Sequence, residues 1–476
     1  MSSFNHYRWS AINRFGVQLI GFIGNVLIAR QLSPDDYGLV AMLSIFIGIA
    51  WNLTESGFAD YLIVKTDADK KDFSTIFSHN IFISLILYGL LYIGAPLIAT
   101  FFERSELVDI TRVIALSIIL KALTLTEFTR MRKELLFKHS AIIQLSSSIV
   151  SVIVSYILAL QGFGYWAIVC QTLVIAATNL IMIILLNKWR PNFHFDWTRY
   201  KAMRRFSNNM LFSYFTNQIG QNIYSVFIGK FQSSILLGFY NQASKINDAC
   251  FQGINAVILT TSYPLLAKEK DKEIRKGMYN KVMNHFLFIQ FLLCFFIIGS
   301  AYPLMEAVFG VKWVETAPYL QLLTLSLLFY PLTTLNANIV KIEGKSALYR
   351  NLTFLRNGLN LAAILCTFRL SIEMILIGQL VARYISVTID VMICGRLIAF
   401  NPTQQLKIAL LQIIAPATAM IVAFGLSTLL ENTFLKLIGY SISYFLLFLF
   451  FNTFVKNDTQ GYYLEKVKLF IKKIRS

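Results

Sequence analysis

Residues 73–101 read FSTIFSHNIFISLILYGLLYIGAPLIATF, a run without any Asp, Glu, Lys or Arg. The hydrocarbon core of a bilayer is about 30 Å thick, and a helix needs roughly 20 mostly apolar residues to cross it. Charged residues return on both sides of the run, in KTDADKKD at 65–72 and in FER at 102–104. The stretch therefore predicts a transmembrane helix.

The same pattern recurs along the whole chain, which has 476 residues, 56% of them hydrophobic and only 14% charged. Spanning segments of this kind fold as helices, because lipid offers no partners to the polar groups of the backbone. The sequence therefore predicts an all-α integral membrane protein with 14 transmembrane helices. The predicted segments are 11–31, 37–64, 73–101, 107–128, 140–160, 163–187, 206–229, 235–264, 277–301, 316–340, 347–368, 372–395, 408–429 and 433–455.

Positive charge alternates between successive connections and predicts the orientation. Residues 65–72 and 188–205 are rich in Lys and Arg, whereas residues 161–162 and 231–234 contain none. Because basic connections are retained on the cytoplasmic side, both termini are expected in the cytoplasm. The same retention explains the net charge of +18 without nucleic-acid binding.

Several other classes of protein are disfavoured by the composition. The five cysteines lie inside apolar segments without C-x-x-C spacing, and the five histidines never approach ligand spacing, so neither a disulfide nor a metal is expected. A membrane glycosyltransferase or polymerase would need catalytic carboxylates or a large external loop, and the longest outside connection is 302–315. We expect no enzyme activity and no cofactor. The first apolar stretch lacks a cleavage site and is expected to be retained.

The predicted helices divide into two lobes. Residues 1–187 form an N-terminal lobe of six helices, residues 188–205 a basic linker, residues 206–400 a second lobe of six, and residues 401–476 two further helices with a basic tail. Ile28-Ala29-Arg30 with Gly38 recurs as Ile228-Gly229-Lys230 with Gly238, at equivalent points of the two lobes. Parallel repeats of this kind predict a central cavity and alternating access by rocking.

Charged groups deep in the segments are the candidate binding residues, since each costs about 2.5–3.5 kcal/mol on insertion scales. The candidate cations are Arg383, Arg356, Lys245 and Arg14, and Lys121 also lies inside a segment. Their excess over acidic groups favours an anionic cargo such as a phosphate or pyrophosphate headgroup. The alternatives are ion pairs, such as Lys245 with Asp248 or Arg383 with Asp248, and snorkelling of Arg356 and Arg14 to the surface.

Two further sets of polar residues complete the candidate site. A polar stripe on the seventh helix, comprising Asn217, Gln218, Gln221 and Asn222, suits sugar hydroxyls, although bonding between helices would give the same pattern. Candidates for coupling to a proton or a sodium ion are Asp248, Asp390, Glu55 and Asp60. A solvated helix end is the simpler interpretation of Glu55 and Asp60, which flank Gly57.

Two motifs at the equivalent connections identify a family. Ala29-Arg30-Gln31-Leu32-Ser33-Pro34-Asp35-Asp36-Tyr37-Gly38-Leu39-Val40-Ala41-Met42 resembles the first connection of bacterial polysaccharide flippases in the multidrug/oligosaccharidyl-lipid/polysaccharide exporter superfamily. Leu237-Gly238-Phe239-Tyr240-Asn241-Gln242-Ala243, followed by Tyr263-Pro264-Leu265-Leu266, resembles the matching segment of its lipopolysaccharide, exopolysaccharide and teichuronic acid translocase branch.

The resemblance implies a function in surface polysaccharide biosynthesis, in the inner membrane of a bacterium. Its expected cargo is an undecaprenyl-pyrophosphate-linked oligosaccharide, flipped between leaflets, and its expected partners are membrane lipids and a polysaccharide polymerase or other assembly proteins. A drug or small-molecule antiporter of the same superfamily is the nearest alternative, but a cation exporter would be expected to have an acidic cavity. A non-transporting scaffold of envelope assembly is the third possibility.

Overall fold

The computed structural model describes residues 3–55, 57–187, 193–258, 262–398 and 400–454, and every long element in these ranges is a helix. The helices are α1 (Ser3–Gln31), α2 (Pro34–Met42), α3 (Ser44–Glu55), α4 (Phe58–Val64), α5 (Lys70–Phe102), α6 (Leu107–Ile114), α7 (Leu116–Lys133), α8 (Phe137–Leu160), α9 (Trp166–Asn187), α10 (Trp197–Phe231), α11 (Ser234–Val257), α12 (Tyr263–Lys268), α13 (Lys272–Leu304), α14 (Thr316–Ser326), α15 (Tyr330–Ile342), α16 (Ser346–Thr367), α17 (Ile372–Leu397), α18 (Pro402–Ser427) and α19 (Thr433–Phe454). A π turn and a 3₁₀ turn connect α13 to α14.

Helix starts in the membrane-flanking connections are fixed by local capping. Ser33 and Asp36 form a reciprocal capping box at the start of α2, where Pro34 occupies the first turn. Asp69 and Asp72 form a second box at the start of α5. These side chains satisfy backbone N–H groups that the first turn leaves without partners, so α2 and α5 begin sharply at the ends of their connections.

The helices fall into two compact units, Met1–Asn241 and Gln242–Ser476. The first unit includes α10 and the start of α11, which the sequence analysis places in its second lobe. Arg199 near the start of α10 explains part of this, because it forms ion pairs of 2.6 Å with Asp69 and 2.9 Å with the buried Asp72. The division into lobes at 188–205 stays a prediction, and residues 188–192 lie outside the described ranges.

Small residues bring α1 and α8 together in the first unit. A Cβ at Gly16 would lie 2.7 Å from the Leu145 side chain, and one at Gly24 would overlap Val152. On the other side of α8, Ser147 donates to Asn179 at 2.8 Å and Ser155 to the Ala167 carbonyl at 2.7 Å. Close approach over small side chains with serine hydrogen bonds is typical of packing between membrane helices.

In the second unit, two tyrosines of the last helix, α19, contact α13. Tyr440 and Tyr444 of α19 are buried and donate to the carbonyls of Phe295 and Leu292 on α13, at 3.1 and 2.8 Å. A Cβ at Gly299 would overlap the Tyr440 side chain, so this glycine provides the space for the contact. The hydroxyls supply donors for backbone oxygens while the rings fill the helix interface.

Many helices of the described part are apolar enough to cross a membrane. Nine spans qualify by length and composition, and the bent pair Pro34–Met42 with Ser44–Val64 adds a tenth if its parts cross together. Four further helices, α7, α10, α11 and α16, occupy predicted segments but carry more polar residues. The protein is therefore an all-α, multi-pass membrane protein, while the predicted total of 14 crossings stays a prediction.

Candidate functional site

In the second unit, Arg356 and Asp390 form an ion pair. An Arg356 Nη atom donates to Asp390 Oδ1 at 2.7 Å, and the two side chains are 19% and 1% exposed. The pair connects α16 to α17. Because both side chains are largely buried, either charge without its partner would destabilise the fold. The two residues were predicted to act separately, Arg356 on a headgroup and Asp390 on a coupling ion. Here they neutralise each other.

Arg383 lies on α17, seven residues before Asp390. Its Nη1 donates to the Ser326 hydroxyl of α14 at 2.9 Å, and within the described ranges it forms no ion pair. Lys245 and Asp248, both on α11, are exposed. Arg383 therefore keeps a charge that no described carboxylate compensates, as a cation facing an anionic ligand would.

Three of the predicted residues, Arg14, Glu55 and Asp60, belong to the first unit. Arg14 is exposed on α1. Glu55 is the last residue of α3 and Asp60 lies within α4, so the left-handed Gly57, with φ of 69°, separates them as the sequence indicates. Glu55 faces a cavity, described below, and Asp60 does not line it.

Part of the polar stripe on α10 bonds to α3. Asn52 donates to Gln218 Oε1 at 3.0 Å, and Ser44 donates to Asn222 Oδ1 at 3.2 Å. These contacts match the structural interpretation of the stripe, bonding between helices. The side chains of Asn217 and Gln221 lie outside the described part of the chain, so their predicted sugar contacts are not addressed by it.

Three connections that the charge pattern places on the outer side meet at one group of residues, here called the Arg104 cluster: Asp35, Arg104, Glu106 and Ser234. Arg104 bonds both carboxylate oxygens of Asp35, at 3.1 and 2.9 Å, and donates to the Ser234 hydroxyl at 2.6 Å. Ser234 in turn donates to Asp35, and Glu106 pairs with Arg104 at 3.2 Å. The cluster ties the connections before α2, α6 and α11 together.

The two repeated glycines support the same contact from opposite sides. A Cβ at Gly38 would overlap the backbone carbonyl of Ser234, and a Cβ at Gly238 would overlap that of Pro34. The partners are related by the same offset of 200 residues as the glycines themselves. The starts of α2 and α11 therefore pack reciprocally, and only glycine allows the backbones to come so close.

The electrostatics of these connections favour the charged forms. Hydrogen bonding to Asp35, with further bonds to Glu106, raises the pKa of Arg104. A hydrogen bond from Lys230, at 2.7 Å, lowers the pKa of Glu103. The pKa of Glu106 is lowered by its own backbone N–H and then by Arg104. The cluster is therefore fully ionised at neutral pH.

A cavity of about 680 Å³ lies within the first unit, among α1, α3, α7, α8 and α9. Lys121, Arg132 and Glu55 are its charged lining residues, and Trp51, Phe128 and Phe137 are aromatic. Neutral polar side chains supply much of the rest: Ser10, Asn13, Ser117, Thr124, Ser140, Gln144, Thr172 and Asn179. The Lys121 ammonium lies 4.6 Å from the centroid of the Trp51 ring. The lining therefore combines polar and apolar side chains, with one more positive than negative side chain.

Neither Trp51 nor the Arg104 cluster is predicted from the sequence. A tryptophan inside an apolar segment carries no signal of its own, because interfacial and core tryptophans have the same neighbours. The sequence does contain a signal for the contact between the connections, since Gly38 recurs as Gly238 at an offset of 200 residues. Arg104 itself could not be found this way, because it has no counterpart in the repeat.

Comparison of the sequence with known families gives one match over more than half of the chain. The family described as polysaccharide biosynthesis protein matches residues 27–318. The teichuronic acid biosynthesis protein TuaB of Bacillus subtilis is 26% identical over 72% of this chain and 71% of its own length. The lipopolysaccharide biosynthesis protein WzxC of Escherichia coli is 21% identical over 66% of this chain and 65% of its own.

Solved structures show the same fold. A lipid II flippase, MurJ, in an inward closed conformation has a TM-score of 0.72, with 17% identity over 94% of this chain and 99% of its own. An inward-facing multidrug resistance transporter of the MATE family has a TM-score of 0.61, with 17% identity over 80% and 95%. The resemblance to polysaccharide flippases of the multidrug/oligosaccharidyl-lipid/polysaccharide exporter superfamily is confirmed, and the chain belongs to the polysaccharide biosynthesis protein family.

Proposed function

We propose that the protein carries undecaprenyl-pyrophosphate-linked oligosaccharide units from the cytoplasmic to the outer leaflet of the bacterial inner membrane, for surface polysaccharide biosynthesis. The observation that carries this proposal is the family match at residues 27–318 on a fold shared with a lipid II flippase. Relatives are named for the biosynthesis of teichuronic acid and lipopolysaccharide and for the biosynthesis and transport of succinoglycan, which supports the proposal.

Charge supports an anionic cargo. Lys121 and Arg383 lie in predicted segments and form no ion pair among the described residues. A pyrophosphate needs cationic donors once it leaves water, because charge-assisted hydrogen bonds replace its hydration.

We further propose transport by alternating access, with the Arg104 cluster as the closed outer end. The cluster joins the first connection of one repeat to the first connection of the other. Separating the starts of α2 and α11 would open that end, and the reciprocal glycines would let it close again with little reorganisation.

The cargo is moved and not chemically changed, so no catalytic group and no cofactor take part in the proposal. Asp248 and Glu55 are the candidates for proton or sodium coupling, and Asp390 and Asp60 are less suited, since Asp390 is paired with Arg356. A polymerase acting on the outer leaflet is the proposed partner. Both termini are proposed to be cytoplasmic, in line with the basic connections.

Depletion of the protein in its own cells tests the proposed function. Lipid-linked repeat units should accumulate on the cytoplasmic leaflet, where an impermeant glycosidase added outside does not reach them, and surface polysaccharide should disappear. Re-expression of the wild-type chain should restore both. Unchanged surface polysaccharide after full depletion would contradict the proposal.

The fold shared with a multidrug transporter keeps a drug antiporter as the second candidate. A cationic drug would meet Lys121 and Arg132 in the cavity of the first unit. Their positive charge opposes that cargo, which is why the flippase is preferred.

A further inference from the structure

A group of exposed aromatic side chains lies just before α10 and in its first turn. Phe193, Phe195 and Trp197 are 70%, 43% and 56% exposed. They belong to residues 193–204, here called the interface segment, which continues directly into the rest of α10. Apolar side chains that cluster on a surface mark a contact with a protein or a membrane, so the segment is expected to have a partner.

Contacts with α5 give the depth of the interface segment. The ring centroids of Phe193 and Phe77 are 5.3 Å apart, and the Asp196 backbone N–H donates to the Thr75 hydroxyl at 3.3 Å. Both partners lie in the first two turns of α5, where the predicted span 73–101 begins. Aromatic rings are enriched at such boundaries between lipid and water. The segment is thus at headgroup depth, on the side that the charge pattern assigns to the cytoplasm.

The start of α10 has a cationic stripe beside these rings. Trp197, Lys201 and Arg204 are all exposed and follow one another at helical positions i, i+4 and i+7, so they share a face. The Lys201 ammonium lies 5.7 Å from the centroid of the Trp197 ring. Among the described residues, no carboxylate pairs with Lys201 or Arg204, whereas Arg199 has three carboxylate partners. The stripe therefore offers two cations to an external anion.

The opposite face of the segment is held against the first unit. Met203 and Phe58 belong to one buried apolar cluster, against which Tyr200 packs. Arg199 pairs with the connection 65–72, as described above. The segment is thus fixed on one face, and the face with the cationic stripe stays open.

Charge decides which partner fits the open face. Residues 188–205 contain six Lys and Arg and a single carboxylate, that of Asp196. Basic residues near the cytoplasmic leaflet are attracted to its anionic lipids by about 1 kcal/mol each. An acidic protein would also satisfy the cations, but the headgroup depth of the aromatic rings favours a lipid.

We infer that the interface segment binds anionic phospholipid headgroups of the cytoplasmic leaflet. Lys201 and Arg204 contact the phosphates, and the three exposed rings lie between the headgroups and the upper acyl chains. Because the segment continues into α10, whose polar stripe bonds to α3, bound lipid fixes the start of that helix. Transport then depends on the anionic lipid of the membrane, a consequence that rests on the proposed function.

Hydrogen exchange of the full chain in two kinds of nanodisc tests the binding. One kind is pure phosphatidylcholine, and the other has equal parts of phosphatidylcholine and phosphatidylglycerol. Exchange in peptides covering 193–204 should be at least about fivefold slower with phosphatidylglycerol. The double variant Lys201→Gln, Arg204→Gln should lose this difference, and both side chains are exposed, so it should fold like wild type.

A matched variant controls for the loss of charge. Lys270→Gln with Lys272→Gln removes two exposed lysines from another basic connection and should keep the lipid dependence at 193–204. Equal exchange of the wild type in both nanodiscs would overturn the inference, as would the same lipid response in both double variants. Polyglutamate added to phosphatidylcholine nanodiscs provides the alternative partner. Protection by polyglutamate and not by phosphatidylglycerol would assign the face to an acidic protein and overturn the lipid.

Tryptophan quenching tests the depth independently of these charge variants. Lipids brominated at the upper acyl chain should quench Trp197, whose signal is the difference between wild type and Trp197→Phe. A Trp197 signal that these lipids leave unquenched would place the segment outside the membrane and contradict the inference.

Flipping in liposomes of the same two compositions separates the inference from the proposed function. The wild type should flip a lipid-linked saccharide several-fold faster with phosphatidylglycerol, and Lys201→Gln with Arg204→Gln should remove that gain. Equal rates of the wild type in both compositions would overturn the effect on transport. A wild type that flips in neither composition contradicts the proposed function, whereas slower exchange with phosphatidylglycerol would still support the lipid-binding face.

Discussion

Arg104 holds Asp35 through two parallel hydrogen bonds, at 3.1 and 2.9 Å. The side chains are 28% and 33% exposed, so the pair lies at the edge of the protein and not in its core. A bidentate guanidinium–carboxylate pair fixes orientation as well as distance. This geometry makes Arg104 the residue that orders the connections around it.

Replacing Arg104 should therefore loosen the starts of α2 and α11 together. Arg104→Gln removes the bidentate pair and the bond to Ser234, a loss of about 1–3 kcal/mol. Hydrogen exchange should rise about tenfold in peptides covering 29–38 and 230–238, measured by mass spectrometry on the reconstituted protein.

A neighbouring arginine serves as the control for this change. Arg112 lies 4.6 Å from the centroid of the Tyr92 ring and is not part of the cluster. Arg112→Gln should leave exchange at 29–38 and 230–238 as in wild type. Arg104→Gln with unchanged exchange would refute the role given to the cluster.

The reciprocal glycines give a prediction about shape. Gly38→Ala and Gly238→Ala each place a methyl group against a backbone carbonyl that cannot rotate away. Each should lower the unfolding temperature and reduce transport by more than half, because overpacking typically costs about 1–3 kcal/mol. Gly21→Ala and Gly89→Ala have no neighbour within 4 Å and should be neutral or stabilising, as alanine is the better helix former. Equal stability of all four variants would show that the close approach is unimportant.

Variants of Arg356 and Asp390 test whether the two residues stabilise the fold or bind a ligand. Arg356→Leu leaves the buried Asp390 without its partner and should destabilise the protein by about 3–5 kcal/mol. Arg356→Leu combined with Asp390→Leu removes both charges and should recover most of that loss. Thermal unfolding in detergent measures the stability, and transport of the double variant measures function. A stable double variant without transport would show that the pair also contacts the cargo or a coupling ion.

Arg383 should behave differently, since its described contact is a single bond to Ser326. Arg383→Ala should leave the protein inserted and folded but abolish surface polysaccharide in cells, because an anionic cargo loses its cation. Ser326→Ala removes the same hydrogen bond and keeps the charge, so it should retain transport. If Arg383→Ala displays normal surface polysaccharide, the residue does not bind cargo.

The outer glutamates predict a pH dependence. The pKa values of Glu103 and Glu106 are lowered from the ordinary value of 4.5 in the folded protein. A lowered pKa means that the stabilising effect is complete above the unfolded value and is lost as the pH falls through the folded one. The stability difference between wild type and the double variant Glu103→Gln, Glu106→Gln should be constant between about pH 8 and 5 and should decrease as the pH falls below 4.5. A difference that changes between pH 7 and 6 would require another titrating group.

Much of the architecture could be predicted from the sequence. Long apolar runs such as 73–101 predict helices because lipid excludes other backbone structures. The capping residues Ser33 and Asp69 could also be predicted, because each precedes a helical segment and has an acidic residue three positions after it. Membership of the family followed from the motif at 29–42.

Side-chain pairing could not be predicted in the same way. Arg356 pairs with Asp390, which is 34 positions away and on another helix, and no periodicity relates two different helices. Arg383 and Asp390 share a stripe of one helix, yet that proximity along the stripe says nothing about their partners. The cavity of the first unit depends on the packing of five helices, so its residues are scattered from Ser10 to Asn179.

Flipping in a reconstituted system tests the central claim most directly. The full chain is placed in liposomes with a fluorescent undecaprenyl-pyrophosphate-linked saccharide, and an impermeant glycosidase reports which leaflet holds the sugar. We predict that the wild type exposes inner-leaflet saccharide to the enzyme much faster than protein-free liposomes, in the presence of a proton or sodium gradient if one is required. A well-folded wild type that gives the protein-free rate under every gradient would contradict the account.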